Sequence, residues 1–497
     1  MPDGQAPHRR LIIVSNRLPM TMAKDENGRW VAKPGSGGLV TAMAPVLKDR
    51  GGVWVGWPGT TEEQGVDIVG LMTGAARDSG YTLRPVMISA KEKHDFYHGF
   101  ANEIIWPLFH DLPSLCNFMP EYWDAYRSVN QKFARAVSRS AGSDDYIWVH
   151  DYHLMNVGKE LRAMEVTNST GFFLHIPFPQ TDIFTKLPWR FEILEGLLEY
   201  DLIGFQTPRD MRNFIQCIRM LRKDVPVRGK GSICTVHPPG REVRVGTFPI
   251  SIDYLDFTAR SGSKEVADEA WTIHQNLPDR HLILGVDRLD YTKGIPHRLR
   301  AFREALVRCP ELRRKVTFIQ VVVPSREDIP KYNELKSEID RLVGEINGEF
   351  TESGWVPIHY IFRSLRQNEL LSYYRTCEVA LVTPLKDGMN LVAKEFCACS
   401  LEENGVLILS EFAGAAAQMQ RGAILVNPFD VVGVADAICR AVKMDEDEKR
   451  ARMKRMRRSI RKHDVFHWVD TFLRAGTSKD LSGFPQVEDY IPSVSEG

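Results

Sequence analysis

The chain has 497 residues with 64 basic and 64 acidic side chains, a balance that removes any bulk electrostatic case for a nucleic-acid partner. Its length exceeds what one core usually fills, so two domains are expected. No apolar run approaches the roughly 20 residues that span a bilayer, the start MPDGQAPHRR lacks the apolar stretch of a secretory leader, and the eight Cys, at 116, 217, 234, 309, 377, 397, 399 and 439, show no paired metal-ligand spacing; the expected setting is a reducing cytoplasm.

Short apolar runs recur along the chain: LIIVSNR, YIWVH, GFFLHI and LIGF before residue 210, then HLILGV, KVTFIQVVV, PIHYI, EVALV, GVLILS and AILVNP after 280. Segments of helical length such as IPHRLRAFREAL lie between many of them. Strands apolar on both faces and separated by helices read as parallel sheets covered on both sides, so the fold class is α/β. The division is expected near residue 250, giving domains 1–250 and 251–475 and a tail from 476 to 497. The basic run KRARMKRMRRSIRK reads as a solvated helix face, because its cations are interleaved with single apolar residues.

Ligands of open α/β sheets bind outside the carboxyl ends of the strands, and polar clusters stand at several such ends. Arg17 follows the first apolar strand, and KPGSGGL then offers Gly35, Gly37 and Gly38 in a loop that could close over a phosphate or sugar; it matches neither a dinucleotide fingerprint nor a Walker A loop. DFYHGFANEIIWPLFHD carries Tyr97 and Trp106, which could bracket a sugar ring or belong to the core. Asp151 ends YIWVH and His175 stands near the end of GFFLHI, a pairing that suits recognition of sugar hydroxyls.

In GVDRLDYTKGIPHRLRAF, Arg288 and Lys293 leave one strand end together. They could neutralise a diphosphate and the charge that grows on it during bond breakage, or form a surface ion-pair loop. Arg326 is a further cation beyond the strand KVTFIQVVV. In EVALVTPLKDGMNLVAKEF, Lys386, Asp387 and Gly388 form a turn before a helix whose free N–H groups favour an anion. Glu395 lies five residues beyond Asn390, within reach of a sugar hydroxyl or else solvated. HDYH has two His but not the spacing of HExxH, and no DxD stands in an obvious loop, so no metal site is expected.

SNRLP, KPGSGGL, WPLFH, HDYHL, HIPFP, DRLDYTKG and TPLKDGMNLVAKEF, in this order and spacing, resemble the trehalose-6-phosphate synthase family of retaining glycosyltransferases (glycosyltransferase family 20) from about residue 10 to about residue 475. The resemblance implies a GT-B fold, with two Rossmann-like domains facing each other across a deep cleft and a last helix that crosses back to the first domain. It also implies transfer of glucose from UDP-glucose, or GDP-glucose as second choice, to glucose 6-phosphate, with retention at the donor anomeric carbon.

Carried over by residue, Arg288 and Lys293 hold the donor diphosphate, with the backbone of Gly388, Met389, Asn390 and Leu391 completing that site. Glu395 takes the ribose, Asp387 faces the donor glucose hydroxyls and His175 lies near its 6-hydroxyl. Arg17, Tyr97, Trp106 and Arg326 form the acceptor site, Asp151 orients the acceptor sugar, and Gly37 and Gly38, in the closing loop, count among the donor-binding residues. The catalytic set is then Arg288, Lys293, Asp151, His175 and Asp387. No metal or other cofactor is implied, and a cytoplasmic homo-oligomer, dimer or tetramer, with no membrane or nucleic-acid partner is expected. The chain length after 475 leaves no expectation of an attached phosphatase. Two alternatives stand beside this reading: a catalytically silent sensor of sugar nucleotide and sugar phosphate, and a GT-B transferase with another phosphorylated acceptor.

Overall fold

The computed structural model describes residues 9–492 except 36, 37, 69, 73–79, 230, 327, 328, 479, 480, 482 and 483. The chain divides into two compact units, Met1–Pro249 with Phe466–Val487, and Ile250–Val465 with Glu488–Gly497. The stretch expected as a tail after residue 475 is thus shared between them. Each unit is built on its own largely parallel sheet.

The sheet of the first unit has nine strands, in the order Thr82–Pro85, Gly52–Trp57, Leu11–Arg17, Tyr146–His150, Thr170–Phe173, Leu202–Phe205, Val243–Thr247, Ile233–Val236 and Val227–Arg228. The last two run antiparallel to their neighbours and the rest are parallel. Leu11 to Val14 are buried on both faces, as the unbroken apolar run requires. From Leu11–Arg17 the chain proceeds to Gly52–Trp57 on one side, and later returns to Tyr146–His150 on the other. That reversal of strand order opens a crevice at the carboxyl ends of these two strands. The helix Val465–Thr477 packs on this unit, with Phe472 stacked on Trp148 at 4.2 Å between ring centroids.

The sheet of the second unit has six strands, ordered Ile358–Phe362, Val316–Val323, His281–Arg288, Val379–Val382, Val406–Ser410 and Ile424–Val426, all parallel. Here too the order reverses, since His281–Arg288 pairs with Val316–Val323 on one side and with the later strand Val379–Val382 on the other. The second crevice therefore falls between Arg288 and the loop that follows Val382.

The basic run forms the helix Glu446–Lys462, whose Lys449, Met453, Met456 and Ile460 are buried. These positions, three or four apart, make one inward stripe and leave most of the cations outside. Cys309, at the end of the helix Ile295–Arg308, forms a disulfide with Cys439, inside the packed helix Val431–Lys443. Residues 130 apart in sequence give no local signal of this pairing, and a disulfide departs from what a reducing compartment favours. No helix among the described residues is long and apolar enough to cross a membrane.

Candidate active site

In the first unit the crevice is lined from the strand ends outward. Arg17 closes the strand Leu11–Arg17, and its guanidinium carbon lies 3.9 Å from the ring centroid of Trp57 and 5.5 Å from that of Tyr97. Burial lowers the Arg17 pKa from its ordinary value, and interaction with Tyr97 opposes this; the side chain nevertheless remains cationic at neutral pH. Gly59 has φ +95°, a backbone conformation that favours glycine, and a Cβ there would meet Arg17 Nη1 at 2.5 Å and push that guanidinium aside.

Tyr97 sits in a helical stretch, Lys93–Ile105, of wide i→i+5 turns, a form often found at functional sites. Its ring stacks on His153 at 5.8 Å; His153 contacts Tyr152 at 3.9 Å, and Tyr152 contacts Trp106 at 5.7 Å. One run of rings thus connects Tyr97 with Trp106, which is only 5% exposed. The rings pack as core and also form the wall beside Arg17, so the two readings of these aromatic residues are compatible.

Asp151 and His175 meet across neighbouring strand ends. Asp151 has φ +76°, an uncommon conformation for a residue with a side chain. Its Oδ1 accepts from the backbone N–H of His175 at 3.3 Å, and its own N–H donates to Phe173 O at 2.8 Å. The imidazoles of His175 and His150 approach at 3.1 Å (Nε2 to Nδ1). Burial drives the His175 pKa down to about 3, and burial together with His175 holds His150 well below its usual range. Both rings are neutral at pH 7, and His175 presents a hydrogen-bonding group without charge.

In the second unit the strand His281–Arg288 delivers Asp287 and Arg288 to its carboxyl end. Arg288 is exposed. Asp287 is bound to the fully buried guanidinium of Arg298. Arg298 Nε also donates to Thr383 Oγ1 at 3.0 Å, Nη1 to Gln320 Oε1 at 3.3 Å and Nη2 to Lys293 O at 3.4 Å. Burial raises the Asp287 pKa, and Arg298 counteracts it. A Cβ at Gly285 would lie 2.7 Å from Arg298 Nη1. The glycine inside this strand therefore makes room for the guanidinium.

Lys293 Nζ donates to Asp387 Oδ2 at 2.6 Å, and both side chains are mostly shielded. The turn itself adds two contacts to Asp387: Asn390 Nδ2 reaches Oδ2 at 3.2 Å and Met389 N approaches Oδ1 at 3.4 Å. Gly388 and Met389 sit between, with Met389 buried. Asn390, at φ +79°, caps the helix Leu391–Cys399 by accepting from Ala393 N at 3.2 Å. The first N–H groups of that helix accordingly lie next to Asp387. On the same helix Glu395 accepts from Tyr374 O–H at 2.8 Å, and burial raises its pKa while this hydrogen bond opposes the rise.

Arg326, at φ +52°, lies in this second unit. Its Nη1 is 3.1 Å from Asp290 Oδ2 and 2.6 Å from Tyr332 Oη. Burial raises the Asp290 pKa, but Arg326, Lys293 and Arg288 outweigh it and hold the carboxyl below the ordinary range. Of the residues grouped by sequence, Arg17, Tyr97, Trp106, Asp151 and His175 gather at the first crevice, and Arg288, Lys293, Asp387, Asn390 and Glu395 at the second. Arg326 is contributed by the second unit and Arg17 by the first. Gly38 opens the helix Gly38–Arg50, while Gly37 lies outside the described residues.

Sequence reading missed Arg298 and Tyr374. Arg298 had a signal, for it occupies an inward position among Ile295, Leu299 and Phe302 on one face of a helix, where a cation is out of place unless paired. Tyr374 had none. Among the described residues no group of three or more His, Cys, Asp or Glu side chains could hold a metal ion.

The profile of glycosyltransferase family 20 matches residues 9–477. The chain belongs to this family. It is 41% identical over 484 residues to a trehalose-6-phosphate synthase of Mycolicibacterium vanbaalenii, covering 96% of this chain and 98% of the relative. It is 42% identical over 473 residues to the trehalose-6-phosphate synthase of Mycobacterium bovis, covering 93% and 94% of the two chains. Among solved structures, a UDP-forming α,α-trehalose-phosphate synthase from Burkholderia xenovorans in complex with glucose 6-phosphate matches with a TM-score of 0.86 at 36% identity, over 94% of this chain and 100% of that one. A second, trehalose-6-phosphate synthase from Escherichia coli bound with UDP-2-fluoroglucose, has a TM-score of 0.84 at 34% identity, over 95% and 99%. The family 20 chain is thus a glycosyltransferase of the GT-B fold class, as the motifs imply.

Two outcomes follow from the buried groups. Arg298→Ala strands Asp287 in the interior and is expected to destabilise the second unit by about 3–5 kcal/mol, measured by urea denaturation; Asp287→Asn combined with Arg298→Met should recover most of that loss. Because the folded state holds His175 near a pKa of about 3 against an ordinary 6.5, the unfolded chain binds the extra proton between these values, and stability falls as pH drops through that window. Relative to His175→Gln, the unaltered protein should lose up to about 1.4 kcal/mol more per pH unit between roughly pH 6 and 4, read from denaturation midpoints.

Proposed function

We propose that this chain transfers glucose from UDP-glucose to glucose 6-phosphate, giving α,α-trehalose 6-phosphate and UDP with retention at the donor carbon. The observation that carries the reading is the Lys293 to Asp387 contact of 2.6 Å at the start of a helix, with Arg288 at the end of the adjoining strand. A cation, a hydroxyl-binding carboxylate and free backbone N–H groups are what a sugar diphosphate needs at one place. The ligands named for the two solved relatives, glucose 6-phosphate and UDP-2-fluoroglucose, match the two halves of the proposed reaction.

In this reading Arg288, Lys293 and the backbone of Gly388 to Leu391 take the diphosphate, and Glu395 accepts from a ribose hydroxyl. Asp387 and His175 receive hydroxyls of the donor glucose. Arg17 and Arg326 take the acceptor phosphate, with Tyr97 and Trp106 walling the sugar and Asp151 orienting its hydroxyls. As the bond between the anomeric carbon and the phosphate oxygen breaks, negative charge grows on the diphosphate against Arg288 and Lys293. The acceptor hydroxyl then forms its bond on the same face, and its proton passes to the departing phosphate oxygen. The two side-chain cations supply the charge stabilisation, so the proposal invokes no divalent ion. Asp387 is a poor candidate for a covalent nucleophile, because its role in this reading is to hold the donor glucose hydroxyls.

The test is incubation of the purified protein with glucose 6-phosphate and, separately, UDP-, GDP- and ADP-glucose, following nucleotide release and the sugar product by NMR. The expected result is acceptor-dependent UDP release with an α,α-linked disaccharide phosphate. Binding of both ligands without release would mean a silent sensor, and release without acceptor would mean a hydrolase.

A further inference from the structure

The helix Glu446–Lys462 was read from sequence as a solvated basic face, and that reading leaves one part of it unexplained. Arg455, Arg458 and Lys462 are spaced three and four residues apart, so they line up along one side of the helix, where like charges repel and weaken it. That side borders a cavity of about 320 Å³, a size that suits a small ligand. Arg421 completes the wall, with its backbone carbonyl 3.5 Å from Arg455 Nη1. Met419 and Met456, both buried, supply apolar surface.

Two details point to what such a cavity takes. Glu488 is the sole carboxylate among the lining residues, 3.5 Å from Arg421 Nη2, and no carboxylate of the described residues forms an ion pair with Arg455, Arg458 or Lys462. Gln418, also in the lining, has a buried Oε1 without a hydrogen-bond partner among the described residues, an unfavourable state that a donor would relieve. Several cations together with one acceptor fit a ligand bearing both a phosphate and a hydroxyl.

The cavity is separate from the candidate active site although it shares the unit. Gln418 and Met419 end a single helical turn, Ala416–Met419, whose lead-in is tied to the Asp387 loop by Gly414 N to Asp387 O at 3.1 Å and Ala415 N to Met389 O at 2.8 Å. We propose that the pocket bounded by Arg421, Arg455, Arg458 and Lys462 is a second binding site, for a small hydroxylated phosphate ester. Arg and Lys bind its phosphate, Arg by paired N–H donors, and the ligand hydroxyl donates to Gln418.

Glycerol 3-phosphate is a suitable probe, titrated calorimetrically into the full chain and into two double variants. Arg288→Ala/Arg326→Ala removes cations of the candidate active site, whereas Arg455→Ala/Arg458→Ala removes those of the pocket. Binding that persists in the first and weakens at least about tenfold in the second, with added salt weakening it further, is the expected pattern. Equal binding by the pocket variant and the unaltered protein would overturn the site, as would complete loss in the active-site variant. Association of anionic vesicles that depends on Arg455 and Arg458, with no such dependence for glycerol 3-phosphate, would also overturn it. Because the substituted pocket residues are at the surface, an unchanged circular dichroism spectrum and thermal midpoint check that the variant is folded; Arg458→Gln/Lys462→Gln serves as a second pocket variant under the same criteria.

Discussion

The second unit is organised around one buried cation. Arg298 comes from the helix behind the sheet and reaches four separate places: Asp287 at the end of one strand, Gln320 on its neighbour, Thr383 beyond a third strand, and the backbone of Lys293. A guanidinium without solvent must keep its donors satisfied, so these four partners cannot drift apart independently. Since the loops carrying Arg288, Lys293 and Asp387 leave from those same strand ends, their relative placement is an outcome of this constraint. Gly285 belongs to the device, because any side chain there would intrude on Arg298.

Both units solve the same problem by the same topology. A parallel sheet whose strand order reverses leaves a gap at its carboxyl ends, and each gap here collects polar groups from adjacent strands. Their electrostatic characters differ. The first gap combines Arg17 with a neutral His175, while the second sets Arg288, Lys293 and Arg326 against Asp290 and Asp387. A low-dielectric setting strengthens such interactions, which suits the second gap to an anion whose charge changes during reaction.

Much of this was legible in the sequence because strand ends carry their chemistry locally. Apolar runs identified the strands, and polar residues immediately after them identified Arg17, Asp151, Arg288 and the Asp387 turn. Pairwise geometry was less accessible. Lys293 and Asp387 are 94 residues apart, and only the pairing of their strands brings them together. Arg326 stood in the sequence as a further cation beyond a strand, and nothing local showed that its guanidinium is held by Asp290 and Tyr332. The Cys309 to Cys439 pairing likewise depends on two helices packing side by side, which no local spacing encodes.

The most direct measurement is the single-turnover rate of glucosyl transfer at saturating donor and acceptor, with donor affinity determined separately, for Arg288→Ala and Lys293→Ala. If these cations act on charge that develops as the diphosphate leaves, each substitution should slow the chemical step by about 100- to 1000-fold while changing donor affinity much less. An unchanged chemical step with only weaker donor binding would contradict the account.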